Sequence, residues 1–365
     1  MTKAIARTKL LTGYERMLRF QPDVALHRKV LAIAKVAAVA ISLHLIYSVL
    51  KKMSSATETK LLTPPWARGE KPKCKEKEKL RRHLSEGYAP EDPKFDLIVK
   101  SAFPGAISNK ELETKMVDVL AEKGFHDNNT LLATSLCCDE LARRLEDDLG
   151  RVYGNNFTLG GLAGFPFAGI TGFGAMVSHV PDNGFCLIVH GPHVGITKDG
   201  TIGKVERKNL ALVDNCCGSA IAAARYLRGI TDGGAVITAK IQNFLDFQQS
   251  AVQEMILPHG KRLHDAGDDF LKEIPYALYQ SQDVLLHDIV KQVRNGLKHY
   301  RGTAILGGVQ INTGPDTMDY FHPLRFELMD NNGNIIEDML PHLTGEKSEN
   351  EDDVWASVRN VKISE

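Results

Sequence analysis

Thr130-Leu131-Leu132-Ala133-Thr134-Ser135-Leu136 runs directly into Cys137-Cys138-Asp139 and then into the segment Asp139–Leu149. An apolar run this short reads as a buried strand, and Asp139–Leu149 as the helix that follows it. The same alternation extends outward. Upstream, Ser108-Asn109-Lys110-Glu111 forms a capping box, and Leu112, Met116, Val119 and Leu120 follow at helical spacing until Gly124. Downstream, Phe185–His190 is a second core strand and Ser219–Leu227 an Ala-rich helix. Asp246–Ile256 and Tyr276–Arg294 are amphipathic helices, the second introduced by Pro275. Thr303–Asn312 and Leu324–Met329 read as strands, and Asn332-Gly333 as a hairpin turn before Ile335-Ile336. Strands separated by helices predict an α/β fold, one sheet covered on both faces by helices.

Composition agrees with a folded body. Of 365 residues 43% are apolar and 25% charged, which excludes general disorder. Forty-five basic side chains balance 45 acidic ones, so a chain built to hold nucleic acid, which needs a basic excess, is also excluded. The six cysteines include two adjacent pairs, Cys137-Cys138 and Cys216-Cys217. In a chain this long they suit metal or catalytic thiols in a reducing compartment better than a disulfide framework.

The charges are unevenly placed. Residues 1–52 carry ten Lys or Arg against Glu15 and Asp23, and Val30–Leu50 is apolar except for Lys35, Ser42, His44 and Ser48. A membrane-spanning helix needs ~20 mostly apolar residues, so residues 30–50 are just long enough to associate with a membrane. The basic, acid-poor lead also fits an organellar targeting sequence. Residues 53–91, with Pro64-Pro65 and the charged run Lys71 to Arg82, read as an exposed linker in which Cys74 is a surface thiol. The body is expected over 92–338 and an acidic tail over 339–365.

Within the body, Gly154–Gly195 holds ten of the chain's 31 glycines, the density needed where backbones turn tightly or approach closely. It contains no phosphate loop, no complete dinucleotide fingerprint, no Gly-x-Ser-x-Gly elbow and no His-Glu-x-x-His. What remains is a set of soft donors at strand ends. Cys137-Cys138-Asp139 closes one strand, His190-Gly191-Pro192-His193 closes another, and Cys216-Cys217-Gly218 opens a helix. Loops at the carboxyl ends of α/β strands converge, so two thiolates and one imidazole would give a zinc site with one open position, the catalytic pattern. Bland readings compete with this. A cysteine is most often a small buried hydrophobe, the reading preferred for Cys186. His179, His190, His259 and His322 are ordinary core or surface histidines. Arg143 and Arg144 could pair with Asp147 and Asp148 on a solvated helix face.

Six ordered strings carry a family resemblance: Leu159-Gly160-Gly161-Leu162-Ala163-Gly164-Phe165-Pro166-Phe167, Gly172-Phe173-Gly174-Ala175, His179-Val180-Pro181-Asp182, Gly191-Pro192-His193-Val194-Gly195-Ile196, Cys216-Cys217-Gly218 and Leu306-Gly307-Gly308-Val309-Gln310-Ile311-Asn312. Over roughly residues 95–330 the chain resembles the limiting-CO2-inducible protein B family, also described as theta-class carbonic anhydrases. The resemblance implies a beta-carbonic-anhydrase-like sheet with Cys137, His193 and Cys217 as zinc ligands and Asp139 as the catalytic carboxylate. Cys216 stays open as an alternative to Cys217. Beta-class enzymes carry an arginine two residues after this aspartate. Here that position is Leu141, and the nearest candidate partner is Arg143.

The implied reaction is the zinc-dependent hydration of CO2 to bicarbonate, with Phe165, Phe167 and Phe173 expected to wall a small apolar pocket. Two thiolates leave zinc with less charge than three histidines do, so activity should rise toward alkaline pH. The competing readings are a catalytically silent, zinc-stabilised scaffold of the same family and a thiol hydrolase using Cys137 or Cys217. The resemblance also implies a homodimer, or a hetero-oligomer with a paralogue, and a plastid location, with the mitochondrion second.

Overall fold

The computed structural model describes residues 77–81, 88–154, 156–232, 235–236, 244–293 and 300–345. The basic lead with its apolar stretch 30–50, Cys74 and the end of the acidic tail lie outside the described residues. Among those described, no helix is long and apolar enough to cross a membrane.

In chain order, Pro93–Ala102 (α1) leads through the short strand Ile107–Ser108 (β1) into Asn109–Glu122 (α2). Ser108 caps α2, its hydroxyl accepting from the Glu111 N–H at 3.2 Å, as the capping box predicts. Thr130–Ser135 (β2) precedes Arg143–Tyr153 (α3), and Asn156–Thr158 (β3) and Gly169–Val177 (α4) follow. Then come Phe185–His190 (β4), His193–Gly195 (β5), Lys204–Val205 (β6), Asp214–Asn215 (β7) and Gly218–Gly229 (α5). Thr231–Asp232 (β8) and Ala235–Val236 (β9) pair with each other; Phe247–Ile256 (α6), Gly260–Asp265 (α7) and Phe270–Val293 (α8) complete the helical half. Gly302–Asn312 (β10), Tyr320–Met329 (β11), Ile335–Asp338 (β12) and Leu340–Thr344 (α9) end the body.

The main sheet runs β1-β11-β10-β4-β2-β3, with β12 on β11 and β5 on β10. Its centre, β10-β4-β2-β3, is parallel, while β11 and its neighbours are antiparallel. Every residue of β4 and β10 is buried, which explains why these strands read as unbroken apolar runs rather than alternating ones. Their side chains divide by parity between two cores. Leu132, Leu187 and Leu306 pack with Met116, Leu120, Leu145 and Leu149 of α2 and α3. Ala133, Ile188 and Ile305 pack with Phe173 and Met176 of α4 and Leu286 and Ile289 of α8. Helices cover both faces, as expected.

Several expectations need correction. The helix expected to start at Tyr276 begins at Phe270, with Pro275 inside it. Burial of Phe270 and Ile274 in the main core offsets the amide hydrogen bond the proline cannot make. The linker is not wholly exposed. Residues 77–81 are helical, Leu80 is 2% exposed within the main core, and Lys77 and Lys79 pair with Glu122 and Asp127. The folded chain also passes residue 338, because Met339 and Leu343 are fully buried.

The glycine-rich strings are explained by backbone packing at the carboxyl end of the parallel strands. A Cβ added at Gly164 would come 2.3 Å from the Gly191 carbonyl oxygen, and one at Gly191 would come 1.8 Å from that of Gly308. Three backbones stack here without side chains between them, and β10 shifts register between Gly307 and Gly308.

Candidate metal centre

Because β2 and β4 are parallel, the loops that leave them emerge at one end of the sheet. Cys137 follows β2, and His193 begins β5 just after the Gly191-Pro192 break beyond β4. The β6–β7 hairpin returns beside them, stitched by Gly195 N–H to Cys216 O (2.9 Å) and Cys216 N–H to Gly203 O (3.0 Å). It delivers Cys217 to the N-cap position of α5.

The outcome is a buried trio. One ligand atom each from Cys137, His193 and Cys217 lies within 4.8 Å of the others, and the two sulfurs are 3.9 Å apart. This cluster can hold a metal ion, and two observations test the fit. The adjacent Cys217 sulfur, with burial adding to it, pushes the Cys137 thiol up to about 12. Two sulfurs this close are the donor chemistry that suits a soft cation such as zinc. The His193 Nε2 atom is buried without a hydrogen-bond partner, whereas Nδ1 lies 2.8 Å from Asn312 Oδ1. An imidazole held on one nitrogen and bare on the other is the usual state of a metal-ligating histidine. Cys216 points elsewhere, its sulfur 3.4 Å from His193 Nδ1, on the side away from that bare nitrogen.

Asp139 caps the short 3₁₀ turn Glu140–Ala142, accepting from Leu141 N–H at 3.1 Å, so the helix expected from Asp139 becomes α-helical only at Arg143. The arginine that faces it is Arg207, not Arg143. Arg207 Nη1 and Nη2 fork onto Asp139 Oδ1 and Oδ2 at 3.0 and 2.8 Å, and Arg207 also meets Glu140. Burial alone would raise the Asp139 pKa, but Arg207 above all, with the Leu141 amide, holds this carboxyl well below the usual range. Arg143 instead pairs with Glu146 and donates to the Cys137 carbonyl oxygen, tying the Cys-Cys-Asp turn to α3. Arg144 reaches Asp319 at 3.1 Å rather than Asp147 or Asp148.

Cys137, Asp139, Arg207 and Cys217 line one cavity of about 300 Å³, closed in part by Leu162. The three phenylalanines expected to wall it do not line it. Phe165 and Phe173 are fully buried in the two cores, and Phe167 packs edge-on against Phe247. Leu162 takes their place because its amide donates to Gln248 Oε1 (2.9 Å) and Gln282 holds the Ala163 carbonyl (2.6 Å), fixing the loop over the site. Arg207 was the residue hidden from sequence reasoning. It lies 68 positions from Asp139, and its one local sign is its place in the hairpin that delivers Cys217.

The sequence profile of the limiting CO2-inducible proteins B/C beta carbonic anhydrases matches residues 106–330. The crystal structure of PtLCIB4, a homolog of the limiting CO2-inducible protein LCIB, is 42% identical with a TM-score of 0.63, over 67% of this chain and 99% of that one. The crystal structure of LCIB itself, 20% identical, shares the fold with a TM-score of 0.54 over 67% of this chain and 99% of that one. No curated protein sequence matches the chain significantly. With that profile match and a relative 42% identical, this chain belongs to the family of limiting CO2-inducible proteins B/C beta carbonic anhydrases.

Proposed function

We propose that the chain is a zinc carbonic anhydrase that interconverts CO2 and bicarbonate. The observation that carries this reading is the convergence of Cys137, His193 and Cys217 on one cluster, whose two cysteines line the same cavity as an Asp139 held by Arg207. Zinc bound by those three residues supplies Lewis acidity, which makes water a nucleophile near neutral pH. The rest falls to the chain. Asp139 stays anionic through the neutral range because Arg207 grips both its oxygens. Oδ1 also takes the Leu141 amide, so Oδ2 has more acceptor capacity left to hold the nucleophile's proton and turn its lone pair toward carbon. Leu162 offers an apolar wall to an uncharged linear molecule. As oxygen adds to the CO2 carbon, bicarbonate forms and one proton leaves the site.

Two thiolates bring two negative charges where a three-histidine site brings none, so hydration is expected to rise toward alkaline pH. The test pairs zinc analysis with stopped-flow CO2 hydration on the full chain. About one zinc per chain and hydration above the uncatalysed rate are expected, and Asp139→Asn should keep the metal while losing about 10²-fold or more in rate. Zinc without hydration would replace this reading with a zinc-stabilised scaffold.

We also propose a homodimer, or a pairing with a paralogue, supported by the exposed Leu210, Leu212 and Val213 beyond Arg207. A monomeric mass by light scattering would contradict it. A plastid location is supported by the basic, acid-poor residues 1–29, and a cytosolic signal from residues 1–60 fused to a fluorescent reporter would defeat it.

A further inference from the structure

The strand motif Leu306–Asn312 ends on the side chain behind the metal-ligating histidine, and that side chain can be oriented from its neighbours alone. Asn312 is 2% exposed. An amide's two ends have the same shape and opposite hydrogen-bonding character, so surrounding donors and acceptors decide which way it points. Nδ2 lies 3.3 Å from the Leu141 carbonyl oxygen and 3.4 Å from Asp319 Oδ2. Reversing the amide would set its oxygen against two acceptors. Burial raises the Asp319 pKa, but donors on both oxygens favour its acceptor role: Thr313 N–H gives to Oδ1 at 2.8 Å and Arg144 Nη1 to Oδ2 at 3.1 Å. Oδ1 of Asn312 must then face His193, where it lies 2.8 Å from Nδ1. An acceptor at that distance requires Nδ1 to carry the proton. In the neutral ring, the form that can bind metal, that leaves the Nε2 lone pair bare, on the atom that has no hydrogen-bond partner.

We propose that Asp319, acting through Asn312, is a positioning residue that commits His193 to the tautomer able to bind metal through Nε2. The relay runs from Arg144 through Asp319 and Asn312 to His193, and it gives the terminal asparagine of the motif a role that strand packing does not require. The proposal rests on the metal reading above, and its test separates the two. Zinc affinity is measured by competition with a chromophoric chelator in wild type, Asn312→Leu, Asn312→Asp and Asp319→Asn. Asn312→Leu keeps the volume and removes the acceptor, and is expected to weaken zinc binding by about 10–100-fold. Asn312→Asp is expected to recover most of that loss. One of its oxygens still accepts from Nδ1–H, and the other can share a proton with Asp319, as closely placed carboxyls do. Asp319→Asn, which no longer dictates the amide's direction, should fall between.

Long-range ¹H–¹⁵N spectra of the metal-free wild type, at a pH where the ring is neutral, should show the His193 proton on Nδ1. This measurement decides the matter if Asn312→Leu does not fold. Wild-type affinity in Asn312→Leu, or a proton on Nε2, would overturn the proposal and leave the metal reading standing. A wild type that takes up no zinc would overturn the metal reading, and the proposal with it.

Discussion

His190 and His193 stand three residues apart at one strand end, and both are almost wholly buried, at 1% and 2% exposure. They face different company. His193 shares a cluster with two sulfurs, its Nε2 is bare, and it meets an asparagine through Nδ1. His190 stacks on Tyr279 with ring centroids 5.6 Å apart, and its Nε2 lies 3.4 Å from Asp283 Oδ1 without hydrogen-bond alignment. Asp283 in turn pairs with Arg325 (2.8 Å), which also holds Glu327, and His287 closes the network on Glu327 at 2.7 Å. Burial pushes the His190 pKa down and keeps the ring neutral. Burial would raise the Asp283 pKa, but the charges of His287 and Arg325 outweigh it and hold that carboxyl low. One histidine is placed among soft donors that need a cation, the other among hard charges already compensated. Burial alone does not distinguish a ligand from a structural histidine; the neighbours do.

The sharpest break between the two is metal content. His193→Ala should lose zinc altogether, and His190→Ala should keep about one equivalent, both read by metal analysis of purified protein. Loss of zinc from both variants would mean that the two histidines serve one site. The charge network should instead reveal itself in stability. Removing one member of a buried pair costs about 3–5 kcal/mol, so Asp283→Ala should lower the midpoint of chemical unfolding by that measure while retaining zinc. An Asp283→Ala protein as stable as wild type would show the network to be dispensable.

Much of this was legible in the sequence. The strand ending at Ser135 and the cysteine after it, the Gly191-Pro192 break, and the helix opening at Gly218 all follow from local rules of periodicity and capping. Parallel strand order then brings their ends together. What local rules could not reach were contacts that depend on tertiary return. Arg207 arrives by a hairpin, Leu80 docks from within a charged run, and Phe165 and Phe173 turn inward. Choosing His193 over His190 came from family resemblance, since nothing in their local spacing distinguishes them. Choosing Cys217 over Cys216 came from its place directly before the glycine that opens the helix.

Arg207 sharpens the comparison electrostatically, because Asp139, like Asp283, is a carboxylate kept ionised against burial by a guanidinium. A folded-state pKa held low means that the ion pair stabilises the fold above the ordinary carboxylate range, and that this contribution is lost as pH falls through the depressed value. In Arg207→Gln the burial effect is no longer offset, so the Asp139 pKa rises. The acid limb of CO2 hydration should therefore move to higher pH, with a smaller change on the alkaline side. Arg143→Gln, which loosens the Cys137 carbonyl and Glu146 but leaves Asp139 its partner, should not move that limb. Equal pH profiles for wild type and Arg207→Gln would separate Asp139 from the reaction.

The smallest expected effect comes from Cys216, whose sulfur lies 3.4 Å from His193 Nδ1 and 3.9 Å from Asn312 Oδ1. It occupies the side of the ring already served by a stronger acceptor, since an amide oxygen accepts better than a thiol sulfur. A serine there keeps a polar atom of similar reach, so Cys216→Ser should retain zinc and change hydration only a few-fold. The neighbouring substitution removes a donor from the trio itself. Cys217→Ser should lose the metal, because a serine hydroxyl at ordinary pH is no substitute for a thiolate toward zinc. Both variants are read by zinc stoichiometry and thiolate absorption after cobalt replacement. Wild-type cobalt spectra in Cys217→Ser, with loss in Cys216→Ser, would reverse the assignment and place the bare face of His193 on its other nitrogen.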